Sequence, residues 1–314
     1  MAKCSSASRA GPRHCAEPRA GGAILTNTPL HGQSTVAFDF VRTLAAELSG
    51  GNVDLPSFPE IAVRVRRVLS DANSSVEQVV RVVGSEPALA ARLLRIANSA
   101  SLNRSGRQVS DLRTAINRIG YNMVRSAAIS FSMAQIRNSN KLAGLEHHLN
   151  ELWQRSTLVA SLAFVLARHC TKVNPDEAML TGMMHGIGKL YVLTRAIEHP
   201  QLFASERTLN QIIAEWHASI GKAILENWNF SESMAQAVGD QADLSRTHDG
   251  APDLTDVVSV AILMASYPAD IPGLEAALRD AAAAKRLGLN EARTQAVMRD
   301  SAAEVAALNQ ALGS

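Results

Sequence analysis

The chain has 314 residues, 46% of them apolar and 4% aromatic, with 31 Lys plus Arg against 29 Asp plus Glu. That length can bury a large core and permits one or two domains. No stretch approaches the ~20 apolar residues of a membrane span, and Cys4, Cys15 and Cys170 match neither a zinc pattern nor a disulfide framework, so a membrane-spanning protein and a disulfide scaffold are excluded and a reducing cytoplasm fits. Residues 1–35 read as a disordered tail of Ser, Ala, Gly, Pro and Arg without periodicity, lacking the apolar core of a secretory signal. Val36 to Leu48 has helical spacing in Phe40, Leu44 and Leu48, stopped by Gly50-Gly51. Short helices follow to about Ile136. Ser74 and Glu77 form a capping box before Val79, Val80 and Val83. Pro87 starts a helix whose Leu89, Leu93, Leu94 and Ile96 face inward and which ends at Asn98-Ser99, two residues whose ordinary work is capping backbone groups. Ser110 caps the next helix, with a stripe of Leu112, Ala115, Ile116 and Ile119 closed by Gly120.

The helix beyond Gly120 carries Arg125 and continues through Phe131, so the pair imitates a helix-turn-helix. After Arg125, however, Ser126-Ala127-Ala128-Ile129-Ser130-Phe131 offers few donors to base edges, which argues against DNA reading. Charge is uneven along the chain. Residues 36–137 carry thirteen basic groups, all Arg, against eight acidic ones, whereas 138–314 carry fourteen against twenty. The Arg-rich half could face phosphates or carboxylates, and the ordinary reading is a solvated helix surface.

In the second half, Trp153 to Arg168 is an apolar core helix. Asn174-Pro175-Asp176-Glu177 combines a cap residue, a Pro at the first helical position and a carboxylate three residues past the cap. Ala178, Met179, Leu180, Met183 and Met184 then cover more than one face, which predicts a helix enclosed by others. His185 should project inward, Gly186 and Gly188 allow a close approach or a bend, and Lys189 adds a cation. Thr208 and Gln211 form a capping box ahead of a long helix to about Trp228, on which Ile213, His217, Ile220 and Ile224 share a face. A polar loop over Thr247 to Thr255 leads to an apolar helix, Asp256 to Ser266, and to Ala-rich helices at Leu274 to Lys285 and Glu291 to Leu308.

A His at the end of an enclosed helix resembles the signature of the HD superfamily of metal-dependent phosphohydrolases, in which His-Asp ligates metal; here the Asp position is Gly186. More specifically, the chain resembles the HD-related output domain (HDOD) family, a regulatory branch of that superfamily, over roughly Leu55 to Leu244. The residues that carry the likeness are Leu55-Pro56 with Phe58-Pro59, Glu86-Pro87-Ala88-Leu89, Asn98-Ser99-Ala100, Ala115-Ile116 with Ile119-Gly120, Trp153 with Ser156, and Trp216-His217 ahead of Gly221 and Trp228. The resemblance implies an all-α fold, a compact multi-helix HD-like bundle preceded by an N-terminal helical subdomain, and the capped helical stripes point the same way. The expected division is a tail over 1–35, the N-terminal helical subdomain over 36–140, the HD-like subdomain over 141–245, and C-terminal helices over 246–314 on the same body.

In the phosphohydrolases the ligands come from an early His, the His-Asp pair and further His residues on later helices. Arg155 stands where the family's Trp-x-His-Ser pattern places the early His, and Gln241-Ala242 lie close to where a His pair is common, leaving His185 and His217. A divalent ion that activates water needs about three or more protein ligands, and an Arg opposes a nearby cation. The expectation is therefore no metal, no cofactor and no catalytic residue. In their place stands a vestigial site or ligand pocket of Arg155, His185, Lys189 and His217, with Arg155 paired to Glu215 or Asp240 or open to a phosphate or carboxylate. Glu86, Pro87, Asn98, Ser99, Trp153, Ser156, Gly186 and Trp216 are motif positions expected to serve the structure. The function that follows is a non-catalytic cytoplasmic signal-transduction module with a signalling protein partner or a small anionic ligand. No receiver or nucleotide-cyclase domain is recognisable, so input is expected through a partner, the tail or a ligand. The alternatives are a residual metal-dependent phosphohydrolase acting on a phosphoester or (cyclic) nucleotide, and nucleic-acid binding through the Arg-rich half.

Overall fold

The computed structural model describes residues 34–50, 60–71, 73–99, 103, 106–137, 142, 144–228, 230–267 and 270–313, and among them helices occur and strands do not. The tail expected over 1–35 lies outside the described residues apart from Ser34 and Thr35, and the Leu55-Pro56 and Phe58-Pro59 motif lies outside them entirely. The first section comprises α1 (Ser34–Ser49), α2 (Glu60–Ser70), α3 (Val76–Gly84), α4 (Pro87–Ala97) and α5 (Leu112–Arg137). The second comprises α6 (Glu146–Cys170), α7 (Pro175–Met184), α8 (Ile187–Ala196), α9 (Glu206–Asn227) and α10 (Glu232–Asp240). The last comprises α11 (Leu254–Ala265), α12 (Ile271–Asp280), α13 (Ala282–Arg286) and α14 (Glu291–Gly313). No helix of the described residues is long and apolar enough to cross a membrane.

Several helix starts lie away from the residues that sequence spacing picks out. The box on α3 is Ser75 with Gln78, one residue later than Ser74 with Glu77: Ser75 Oγ accepts from Gln78 N at 3.3 Å and Gln78 Oε1 accepts from Ser75 N at 2.7 Å. Glu77 is thereby free to pair with Arg113. Asp111 rather than Ser110 caps α5, accepting from Thr114 N at 2.8 Å. Ser205 rather than Thr208 caps α9, and the Thr208 hydroxyl is joined to Ser205 Oγ at 2.8 Å. In each case neighbouring short polar side chains compete for the same orphan N–H groups, and packing of the apolar face selects the winner. Gly120, with φ of 77°, interrupts α5 where the sequence places a helix end. The span Leu274 to Lys285 is broken at Ala281, whose ψ of 120° separates α12 from α13.

The helix α6 lies at the centre, packed by α7, α11 and α14, while α9 packs on α8 and α10. Two glycines make this closeness possible. A Cβ on Gly182 of α7 would sit 2.9 Å from the Ala160 Cα of α6, and one on Gly188 of α8 would sit 1.9 Å from the His217 carbonyl oxygen of α9. Only a residue without a side chain lets these backbones touch. One apolar core runs from Phe40 and Leu44 of α1 to Leu308 and Leu312 of α14. Polar fastenings close both ends. Glu47 of α1 accepts from the Tyr191 hydroxyl of α8 and pairs with Arg195 at 2.8 Å. Arg168 of α6 pairs with Glu304 of α14 at 2.5 Å, and the Leu312 carbonyl accepts from the buried Arg92 guanidinium and from Ser130 Oγ, the latter at 2.7 Å.

Candidate functional site: a cationic cavity between α6, α8 and α9

Ending α7 at Met184 puts His185 in the joint before α8, where it is 6% exposed. Its Nδ1 lies 2.7 Å from the Gly182 carbonyl, so Nδ1 carries the proton and donates while Nε2 keeps its lone pair. Burial pulls its pKa down to about 4, against the opposing pull of the Gly182 carbonyl; the charges of Arg155, His217 and Lys189 act with burial. His217 on α9 repeats the arrangement, with Nδ1 2.8 Å from the Ile213 carbonyl and its pKa lowered by burial first and by Lys189. Both imidazoles are therefore neutral acceptors at neutral pH.

Arg155 of α6 and Lys189 of α8 supply the charge. Burial lowers the pKa of each, and for Lys189 the charge of Arg155 adds to it while Glu151 opposes it. Neither makes an ion pair with a described carboxylate. Arg155 Nη2 donates to Ser266 Oγ at 2.8 Å and to the Ile262 carbonyl at 3.4 Å, both at the end of α11. The expected pairing with Glu215 or Asp240 is thus replaced, and Asp240 lies beside Arg246 at 4.0 Å instead. Arg155, His185, Lys189 and His217 all line one open cavity of about 320 Å³, together with Asn210 and Gln241. Gln241 Nε2 also donates to the His185 carbonyl at 3.0 Å, steadying the joint from α10.

A divalent metal does not fit these residues. Two imidazoles are too few protein ligands, and two cations share their cavity. At Gly186, where the superfamily has its Asp, a Cβ would meet Leu152 Cδ1 at 2.5 Å, so α6 packing has taken the space of that ligand. Ser156 Oγ, buried beneath that point and 3.4 Å from the same Cβ position, has no hydrogen-bond partner among the described residues. Elsewhere among the described residues, three potential ligands gather at His248, Asp253 and Asp256. Their lone pairs are already used: Arg286 holds Asp256 at 3.0 and 2.5 Å, Arg246 holds Asp253 at 3.2 and 2.6 Å, and His248 Nε2 lies 2.9 Å from Asp256. That cluster fastens α11 to α13 and to the loop before it.

Of the remaining motif positions Gly186 alone lines the cavity. Glu86 and Pro87 begin α4, Glu86 without a side-chain cap bond. Asn98 bridges a loop, donating to the Val109 carbonyl and accepting from Val109 N, both at 2.8 Å, while Ser99 Oγ donates to the Ile96 carbonyl at 2.7 Å. Trp153 packs under the guanidinium of Arg92, and Trp216 Nε1 is buried without a partner among the described residues. Several guanidinium groups of the Arg-rich half are engaged internally: Arg92 as above, Arg118 on Asn103 Oδ1 at 2.9 Å, and Arg125 over the Phe230 ring. Sequence reasoning missed Ser266 and Ile262, which anchor Arg155, and Asn210; an uncharged pair on a distant helix leaves no pattern to follow.

An all-helical bundle with a His at the joint of two short helices defines an HD-like fold. The chain belongs to the HDOD domain family, whose model matches residues 55–244. A protein of Shewanella amazonensis SB2B, provisionally named a metal-dependent phosphohydrolase, is 27% identical with a TM-score of 0.71, over 88% of this chain and 99% of that one. An HDOD domain protein of unknown function from Geobacter sulfurreducens is 21% identical with a TM-score of 0.59, over 86% of this chain and 97% of that one. An uncharacterized protein of Treponema pallidum (strain Nichols) is 22% identical over 210 residues, which are 62% of this chain and 39% of that relative, so the likeness spans well under half of its length.

Proposed function

We propose that this chain is a non-catalytic regulatory module of signal transduction, which reads a small anionic ligand in the cavity of Arg155, His185, Lys189 and His217 and passes the result to a protein partner. The observation that carries the reading is the substitution of charge for metal: a guanidinium fixed by Ser266 and Ile262 stands beside two neutral imidazoles, and Leu152 fills the space next to Gly186. Membership of a regulatory branch of the HD superfamily supports it. The internal use of Arg92, Arg118 and Arg125 speaks against the nucleic-acid alternative, which needs guanidinium groups offered to phosphates.

One observation favours the residual phosphohydrolase. Both imidazoles donate from Nδ1 to a backbone carbonyl and leave Nε2 bare, the tautomer that a metal ligand adopts. Elemental analysis of protein purified without a metal-binding tag decides between them, run alongside His185→Ala and His217→Ala. The regulatory reading expects the same trace metal in all three and no turnover of phosphoesters. One equivalent of metal, lost in both variants together with hydrolysis, overturns it.

A further inference from the structure

We infer that the ligand of this cavity is a small phosphate monoester that also carries hydroxyl groups, such as a polyol or sugar phosphate. The inference rests on the anion-pocket reading and sharpens it by matching the two cations and two imidazoles that line the cavity. Arg155 and Lys189 present two positive charges, and the carboxylate that acts on Lys189, Glu151, is itself exposed and joined to His147 at 3.3 Å. One carboxylate group answers half of that charge, and a dicarboxylate must split its charge between two separate sites; a phosphate monoester gathers about −1.5 to −2 at neutral pH on a single group and answers nearly all of it. With Nη2 held by Ser266 and Ile262, the plane of the Arg155 guanidinium is set in advance, and its remaining N–H groups suit a tetrahedral oxyanion.

The imidazoles put a bare anion at a disadvantage. His185 and His217 both line the positive cavity, and with Nδ1 of each turned to a backbone carbonyl the acceptor that each ring has left to offer is Nε2. An anionic oxygen placed against them is repelled, so each calls for an O–H or N–H donor. An ammonium donor, as in an amino acid, would bring a third positive charge beside Arg155 and Lys189. Hydroxyl groups bring none. The volume of about 320 Å³ stands at the small end of the ~300–1,000 Å³ typical of small-molecule sites, which suits one phosphate on a short polyol rather than a dinucleotide.

Isothermal titration of the full chain at neutral pH and low salt tests this with four probes: glycerol phosphate, inorganic phosphate, glycerol and malate. The expected order is glycerol phosphate about tenfold tighter than inorganic phosphate, as one or two added hydroxyl bonds allow, with malate weaker and glycerol silent. Arg155→Gln should abolish binding of both phosphates. His217→Phe, which keeps bulk and removes the acceptor at a half-buried position, should weaken glycerol phosphate about tenfold and inorganic phosphate about threefold or less. Malate binding as tightly as glycerol phosphate overturns the phosphate class and leaves the anion pocket standing. Glycerol phosphate binding that survives Arg155→Gln, with the variant folded by circular dichroism, overturns this inference. Silence from all four probes sinks the inference and the anion pocket together. Metal-dependent hydrolysis of bound glycerol phosphate removes the non-catalytic reading while upholding the ligand class.

Discussion

Replacing Gly188 by Ala puts the packing of α8 on α9 to a direct test. The added Cβ would lie 1.9 Å from the His217 carbonyl oxygen and 2.7 Å from Gly221 N. Ordinary contact begins near 3.4 Å, so the two helices must part by about 1.5 Å locally. The obstructing atoms are backbone, and no rotamer change can clear them. Overpacking of this kind costs about 1–3 kcal/mol, and the absence of any yielding side chain places Gly188→Ala at the upper end, about 3 kcal/mol. At about 2–4 °C per kcal/mol for chains somewhat shorter than this one, the melting temperature should fall by roughly 6–12 °C. Gly186→Ala is the control. Its Cβ would meet Leu152 Cδ1 at 2.5 Å, but that atom ends a flexible side chain, and Gly186 already has φ of −95°. A change below about 1 kcal/mol is expected there. Urea and thermal melts followed by far-ultraviolet circular dichroism compare the pair. Equal losses in the two variants, or a Gly188→Ala protein within about 0.5 kcal/mol of the native chain, would refute the claim that backbone contact holds α8 against α9.

The folded protein resists protonating His185 until pH falls to about 4, while the unfolded chain takes up that proton near 6.5. Acidification across that window therefore favours unfolding, by on the order of 3 kcal/mol, and His185→Asn, which keeps a donor for the Gly182 carbonyl, should flatten the slope in melts taken between neutral pH and pH 4.5; an unchanged slope contradicts the burial argument. His248 has the opposite sign. Its hydrogen bond to Asp256 raises its pKa above 6.5, so its contribution is complete below that value and is lost as pH rises through the raised one. His248→Gln should lose stability at mildly acidic pH and match the native chain in alkali, and equal melts at all pH values would dismiss the pair. Arg92→Ala removes a buried donor to the Leu312 carbonyl and the packing over Trp153. A loss of about 2 kcal/mol or more is expected, with amide exchange quickened first in the last turn of α14; uniform quickening would show that Arg92 does not anchor that helix.

The helical periodicities and glycine stops made most elements legible, and the ordered motifs brought Arg155, His185, Lys189 and His217 into one hypothesis although three different helices and a joint carry them. What stayed hidden was settled by distant packing. Charge complementarity points Arg155 to a carboxylate, yet a main-chain carbonyl of α11 and the hydroxyl of Ser266 that caps it take that place. The caps of α3, α5 and α9 fell one or three residues from their expected positions because runs such as Ser74-Ser75 and Ser110-Asp111 offer equivalent acceptors. Nothing in the sequence around Gly186 reveals that Leu152 fills the space beside it.

The family likeness runs from residue 55 to 244, but three arginines within it are fastened beyond its borders: Arg195 on Glu47, Arg155 on Ser266 and Arg92 on Leu312. Cutting the chain at those borders would strip all three of these partners at once and open the core at Leu44 and Leu308. Shared ancestry and mechanical integrity thus draw different outlines on this chain, and a piece cut to the borders of the likeness is expected to melt below the whole chain.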